Sequence, residues 1–180
     1  MSDIAAELAK LHTLRGADYS RQVERIAWLG VFHPVDGEVG IYSVGGEGGD
    51  DYSNLLNAAR KAVAHGYKVY ILPNPRGTKT PDFIFERKGL FRVIELKTIQ
   101  GSSSALNRLT DSTCQSNHVL LNMTTSYNGG LLAVQIRSYF EQNDQAFEVL
   151  IFKGKNVITI KRCFVFQKAF VRKFRKEFGK

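Results

Sequence analysis

The 180-residue sequence predicts an α/β fold, a mixed central sheet flanked by helices. From residue 51 onward the patterns run helix, three strands, helix, strand, and adjacent strands bracketed by helices make a layered mixed sheet. Hydrophobic residues make up 43% and charged residues 23%, the composition of a chain that buries a core rather than one that stays disordered. The length fits one ordinary domain with a small appendage.

The elements follow in order. Residues 3–14 read as a helix, with Ile4, Ala5, Leu8 and Leu11 on one side. A second helix is expected over 18–30, where Val23, Ile26 and Ala27 share a face, Asp18 fits the N-cap and Gly30 the stop. Val39 to Val44 reads as a short strand. Gly45-Gly46-Glu47-Gly48-Gly49 follows, and four glycines in five residues cannot hold regular structure cheaply. It lacks the Lys-Ser/Thr ending of a phosphate-binding P-loop, so it reads as a linker. The expected division is an N-terminal helical accessory segment, 1–44, and a larger domain, 45–180, with a basic C-terminal tail.

A helix over about 51–65 has Asp50, Asp51 or Ser53 as its cap and Gly66 as its stop. Residues 67–72 form a strand, ended by Pro73 and Pro75. The strands 82–85 and 91–97 make a hairpin around Lys88-Gly89. Gly101 and three serines precede a helix over about 104–114, and 118–123 is the next strand. Asn128-Gly129-Gly130 reads as a break before a helix over 131–142. Residues 147–152 and 157–161 pair as a last hairpin, turned by Asn156.

Several function classes are excluded by composition. No apolar run approaches the roughly 18–20 residues of a membrane helix. Met1-Ser2-Asp3-Ile4 opens no basic region followed by an apolar one, so no Sec-type signal is expected. Cys114 and Cys163 form no CxxC and are expected as small buried apolar side chains. His12, His33, His65 and His118 show no i,i+4 pairing for a helical zinc site.

The net charge of +8 is uneven. Residues 1–44 carry 4 basic and 6 acidic side chains, a net −2, and the remainder carries +10. After residue 152 ten Lys and Arg face only Glu177. Phe164, Phe166, Phe170, Phe174 and Phe178 interleave with them, and the last three, four apart, make one helical stripe. Such a surplus favours phosphate-bearing partners, and a packed amphipathic helix with solvated cations accounts for the same pattern.

Thr80-Pro81-Asp82 opens one strand and Glu95-Leu96-Lys97 closes the next. Alternation puts Glu95 and Lys97 on one face and Leu96 on the other. In a hairpin, Asp82 is expected beside the end of the partner strand, so two carboxylates and an ammonium converge. Two hard oxygen ligands suit Mg²⁺ (or Mn²⁺), which lowers the pKa of a bound water, while Lys97 orients that water or neutralises developing charge. Glu86-Arg87-Lys88 repeats the charge pattern but lies beside Gly89 with no apolar residue between the charges, so it reads as a solvated turn. The simplest competing reading of the trio is a salt bridge of little consequence.

Thr78-Lys79-Thr80-Pro81-Asp82-Phe83-Ile84, then Ile94-Glu95-Leu96-Lys97, then Gln115 and the strand His118-Val119-Leu120-Leu121, resemble the PD-(D/E)XK nuclease superfamily. More narrowly, Gly66-Tyr67-Lys68-Val69 and Leu72-Pro73 resemble the strand of the C-terminal tRNA-nuclease toxin domain of contact-dependent growth inhibition (CDI) proteins. The resemblance covers about 50–123. It implies a restriction-endonuclease-like core over 45–180, Asp82 and Glu95 as metal ligands, Lys97 as the catalytic lysine and Gln115 as an auxiliary polar group. The superfamily often has a further acid on its first helix. Here Asn54 and Asn57 stand in the helix, and the nearest acids are Asp51 and Glu47. Thr98, Ser102, Ser103, Arg108, Arg172 and Lys173 are candidates for contact with the substrate. The resemblance further implies a bacterial effector acting on tRNA in the target-cell cytoplasm, and an acidic immunity protein that covers the basic site. Two alternatives stay open: a cytoplasmic DNA endonuclease of the same fold, for restriction, repair or a mobile element, and a non-catalytic nucleic-acid-binding module.

Overall fold

The computed structural model describes residues 4–45, 51–74, 79–101, 104–113 and 115–180. The chain divides into two compact units, Met1–Ile94 and Glu95–Lys180.

The first unit contains α1 (Ile4–Ala9), a 3₁₀ turn at Lys10–His12, α2 (Gly16–Ala27), β1 (His33–Pro34), β2 (Ile41–Ser43), α3 (Tyr52–Ala64), β3 (Lys68–Ile71) and β4 (Phe83–Arg87), and β5 (Leu90–Ile99) begins in it. The first expected helix thus ends early, in a 3₁₀ turn. The second begins two residues before its expected cap. Arg15 is the N-cap, and Asp18 lies in the first turn, ion-paired with Arg21. Val23, Ile26 and Ala27 are buried together with Leu8 and Leu11 and with Tyr70, Leu72, Ile84 and Val93 from the strands.

The expected accessory segment 1–44 is therefore built into this unit's core. β2 also pairs in parallel with β3, Ile41 beside Val69. The compact division falls between Ile94 and Glu95 rather than at residue 45. Of the glycine-rich stretch, residues 46–50 lie outside the described residues.

α3 ends as its sequence predicts. Gly66 takes φ +86°, its N–H donates to Val63 O at 2.9 Å, and the Tyr67 N–H donates to Ala62 O at 3.1 Å. Those two bonds satisfy carbonyls that the helix end would otherwise leave open. β3, β4 and the start of β5 pair antiparallel. The β4–β5 turn is Lys88-Gly89, both at positive φ (53° and 77°), the geometry of a two-residue hairpin whose twist matches its strands.

The second unit contains the end of β5, α4 (Ala105–Asp111), β6 (His118–Met123), α5 (Gly129–Gln142), β7 (Glu148–Lys153), β8 (Asn156–Lys161), α6 (Arg162–Val165) and α7 (Phe170–Phe178). β5, β6 and β7 run parallel, with Glu95, Val119 and Val149 in one row, and β8 returns antiparallel. Within each unit strand order follows the sequence, β1 to β5 in the first and β5 to β8 in the second, and mixed strands with helices make the fold α/β as expected.

Asn128-Gly129-Gly130 is not a break. Asn128 caps α5 by accepting the Leu131 N–H at 2.9 Å, and the helix starts at Gly129. The glycine is there for packing: a Cβ on Gly129 would lie 2.9 Å from the Phe178 ring. Phe170, Phe174 and Phe178 form the expected stripe and are buried against α5, each ring contributing about 1.5–3 kcal/mol by leaving water. Asn156 is the first residue of β8, and Gly154 supplies the positive φ of the β7–β8 turn. Cys163 is exposed, not buried as expected, because Val165 is the residue α6 turns inward. Cys114 lies outside the described residues. Among the described residues no helix is long and apolar enough to cross a membrane.

Candidate active site

β5 carries Glu95 and Lys97 on the same face, as strand alternation requires. That face continues through Ile99 and is shared with Val119 and Leu121 of β6, against which Ala105 and Leu109 of α4 and Leu132 and Ile136 of α5 pack. These apolar neighbours leave Glu95 only 2% exposed, with the Lys97 side chain at 15%. Lys97 Nζ lies 2.7 Å from Glu95 Oε1 and donates to Gln115 Oε1 at 3.3 Å.

Gln115 stands in the turn after α4, which ends at Asp111 rather than at 114. The Gln115 N–H donates to Ser112 O at 2.9 Å, and Ser116 Oγ accepts the His118 N–H at 3.1 Å. The turn is tied at both ends, so the Gln115 amide is held over Lys97.

Asp82 belongs to the first unit. It is half-buried, its N–H donates to Ile94 O at 3.1 Å, and its carbonyl accepts the Leu72 N–H at 2.9 Å. Thr80 Oγ1 reaches Asn74 Oδ1 at 3.3 Å in the same segment. The expected meeting of Asp82 with Glu95 and Lys97 crosses the division between the units.

No protein-family model and no curated protein matches the chain. Among solved structures the chain is similar to a CdiA-CT/CdiI toxin and immunity complex from Burkholderia pseudomallei, at 18% identity and a TM-score of 0.42, over 65% of this chain and 92% of that one.

The remaining candidates are dispersed. Thr98 is buried and, by alternation, on the Leu96 side of β5, so its hydroxyl is not brought to the Lys97 group. Its carbonyl accepts from Arg108 Nη2 at 3.4 Å, which holds that exposed guanidinium near β5. Arg172 and Lys173 are exposed on α7, away from its buried Phe stripe. Asp51 is the exposed N-cap of α3. Glu47, Ser102 and Ser103 lie outside the described residues. Among the described residues no group of three or more His, Cys, Asp or Glu is arranged to hold a metal ion.

The structure also pairs two residues that sequence reasoning left apart. His118 Nδ1 lies 2.9 Å from Glu148 Oε1, and the two are direct neighbours in the β6–β7 ladder. Glu148 is fully buried, and the Phe147 ring lies 5.1 Å from the imidazole. Thirty positions separate the pair in sequence, and only the register of two parallel strands joins them.

Proposed function

We propose that this chain is a metal-dependent nuclease that hydrolyses phosphodiester bonds, acting as a bacterial toxin domain on tRNA. The observation that carries the reading is the Glu95–Lys97–Gln115 group. A nearly buried ion pair is a poor stabiliser, because desolvation offsets its attraction and apolar side chains of equal volume do as well. A role in chemistry accounts for its presence better than a role in stability. Among the described residues two of the three Lys97 donors are taken, by Glu95 and Gln115, which leaves one for a phosphate oxygen or an attacking water.

The proposed ion is Mg²⁺ or Mn²⁺. Mg²⁺ is held by one or two carboxylates and keeps several waters and phosphate oxygens, so a three-acid cage is not required. The motif resemblance in 50–123 assigns Asp82 and Glu95 to it. When bound, such an ion neutralises charge on phosphate and supplies a water of lowered pKa. Lys97 orients the water and meets the charge that develops as the phosphorus becomes five-coordinate. Gln115 keeps the amine aimed. Arg108, Arg172 and Lys173 grip neighbouring phosphates. The choice of tRNA, the target-cell cytoplasm and an acidic immunity partner rest on the motif resemblance in 50–123.

The test is incubation with Mg²⁺ and, separately, tRNA, total RNA and plasmid. Cleavage confined to tRNA is the expected result. Cleavage of plasmid moves the substrate to DNA. Tight binding without cleavage in Mg²⁺ or Mn²⁺ leaves a binding module. Asp82→Ala or Lys97→Ala proteins that cut as fast as the parent overturn the site.

A further inference from the structure

We infer that Phe147, Phe164 and Phe166, with Lys161 and Lys168, form a stacking subsite for unpaired nucleotides, so that the substrate is engaged as a single strand. The inference rests on the nuclease reading and deepens it by naming the form of the substrate.

Phenylalanines of the second unit fall into two groups. Phe140, Phe152, Phe170, Phe174 and Phe178 are buried. Phe147, Phe164 and Phe166 are 54%, 51% and 50% exposed. The backbone that carries these rings is held. The Phe147 N–H donates to Asn117 O at 2.9 Å, and its carbonyl accepts the Arg162 N–H at 3.2 Å, which joins it to the start of α6. Phe164 and Phe166 flank Val165, which is fully buried. Arg137 pins the backbone there, donating to Val165 O at 3.2 Å and to Gln167 O at 3.4 Å. Arg162 donates to Asn143 O and Phe140 O at the end of α5 and lies 5.5 Å from the Phe166 ring. With the backbone held, only side-chain freedom is lost when a base stacks on a ring.

The surroundings select the occupant. Lys161 and Lys168 are exposed on either side of the α6 segment. The second unit carries 13 Lys and Arg against 6 Asp and Glu, a net +7. Lysine is depleted at the core of protein–protein interfaces, whereas aromatic rings interleaved with cations suit bases and phosphates of a single strand. A paired duplex hides its base faces and cannot use the rings. Phe147 is joined to the turn that carries Gln115. Gln115 and Asn117 stand two residues apart in the turn entering β6, and Asn117 O accepts the N–H groups of both Phe147 and Glu148.

The test uses the full chain in EDTA, so that binding is read without turnover. The probe is a labelled oligouridylate of about ten nucleotides, compared with an RNA duplex of the same length. Each Phe→Ala change is expected to weaken single-strand binding about tenfold. Phe166→Trp should hold or tighten it, and Phe166→Leu should lose as much as Phe166→Ala, since leucine has apolar area but no π face. Trp keeps the test readable where an Ala variant fails to fold. Equal binding by the parent and the triple Ala variant overturns the inference. So does equal affinity for the duplex, or full binding by the Leu variant. Cleavage of tRNA by the parent in Mg²⁺ is scored separately. Cleavage with ring-independent binding removes only the subsite, and ring-dependent binding without cleavage removes only the nuclease reading.

Discussion

Two tripeptides with the same spacing of charge, Glu86-Arg87-Lys88 and Glu95-Leu96-Lys97, end in opposite environments. The first closes β4 in solvent. Glu86 Oε1 accepts the Gly89 N–H at 2.7 Å, Arg87 lies over the Tyr67 ring, and Lys88 turns the chain at φ +53°. The second lies within β5. Leu96 is buried on one side, while on the other Glu95 is forced into contact with Lys97 in a nearly dry setting. The difference teaches that the middle residue and the course of the strand decide what a Glu-x-Lys does. In solvent the carboxylate finishes a turn. In the core it must find a cation, and the pair becomes a poised polar group.

The largest effect that would sharpen this contrast is catalytic. Lys97→Ala or Glu95→Gln is expected to slow cleavage by about 10²–10⁴-fold, and Glu86→Ala to leave the rate unchanged, read by initial rates on tRNA. If Glu86→Ala slows cleavage as much, the two tripeptides are not functionally distinct.

Stability gives the next largest effect. Glu95→Ala removes one partner and strands Lys97, which should cost about 3–5 kcal/mol in urea unfolding. The double change Glu95→Leu with Lys97→Met should return stability to the parent level or above while activity stays lost. At the other tripeptide, Glu86→Ala should cost only about 0.5–1.5 kcal/mol, the net worth of one hydrogen bond.

A smaller effect comes from the turn itself. Lys88→Gly should raise stability by about 1 kcal/mol in the same measurement, because an L side chain is strained at positive φ.

A third Glu–Lys pair, Glu7 and Lys10 at helical spacing, tests the rule on another element. Lys10 first and Gln22 second hold the Glu7 carboxyl below its ordinary value of 4.5 by donating to it. A lowered folded value means stabilisation that is present above the unfolded value and lost as pH falls through the folded one. Glu7→Gln should therefore flatten the acid limb of the unfolding curve below about pH 4.5, measured by urea midpoints across pH. An unchanged limb removes Glu7 from that balance.

Much of the fold was legible because its signals are local. Gly66 as a helix stop, Lys88-Gly89 as a hairpin turn and the Phe170–Phe174–Phe178 stripe each follow from spacing and backbone chemistry. The same holds for Glu95 and Lys97 sharing a face, since alternation is a property of one strand. The start of α5 was missed because Gly129 and Gly130 look like a break until Phe178 is packed on them. Cys163 was misplaced because burial in α6 is decided by which residue meets α5. The Gln115 contact was half legible: the residue was singled out, but a helix was expected where a bonded turn holds it. The His118–Glu148 pair gave no signal, since its members meet only through strand register.

By itself the sequence determined the α/β order, the β4–β5 hairpin turn, the stop of α3 at Gly66, the uneven charge and the face of β5 that carries Glu95 and Lys97. These rest on interactions within a few residues, where backbone geometry leaves few choices. Tertiary structure alone decided that Glu95 is nearly dry, that Gln115 reaches Lys97, that Glu148 is buried beside His118, and that Phe147, Phe164 and Phe166 stay in water. Burial and cross-strand neighbours depend on elements distant in sequence, and their energies exist only once those elements have packed.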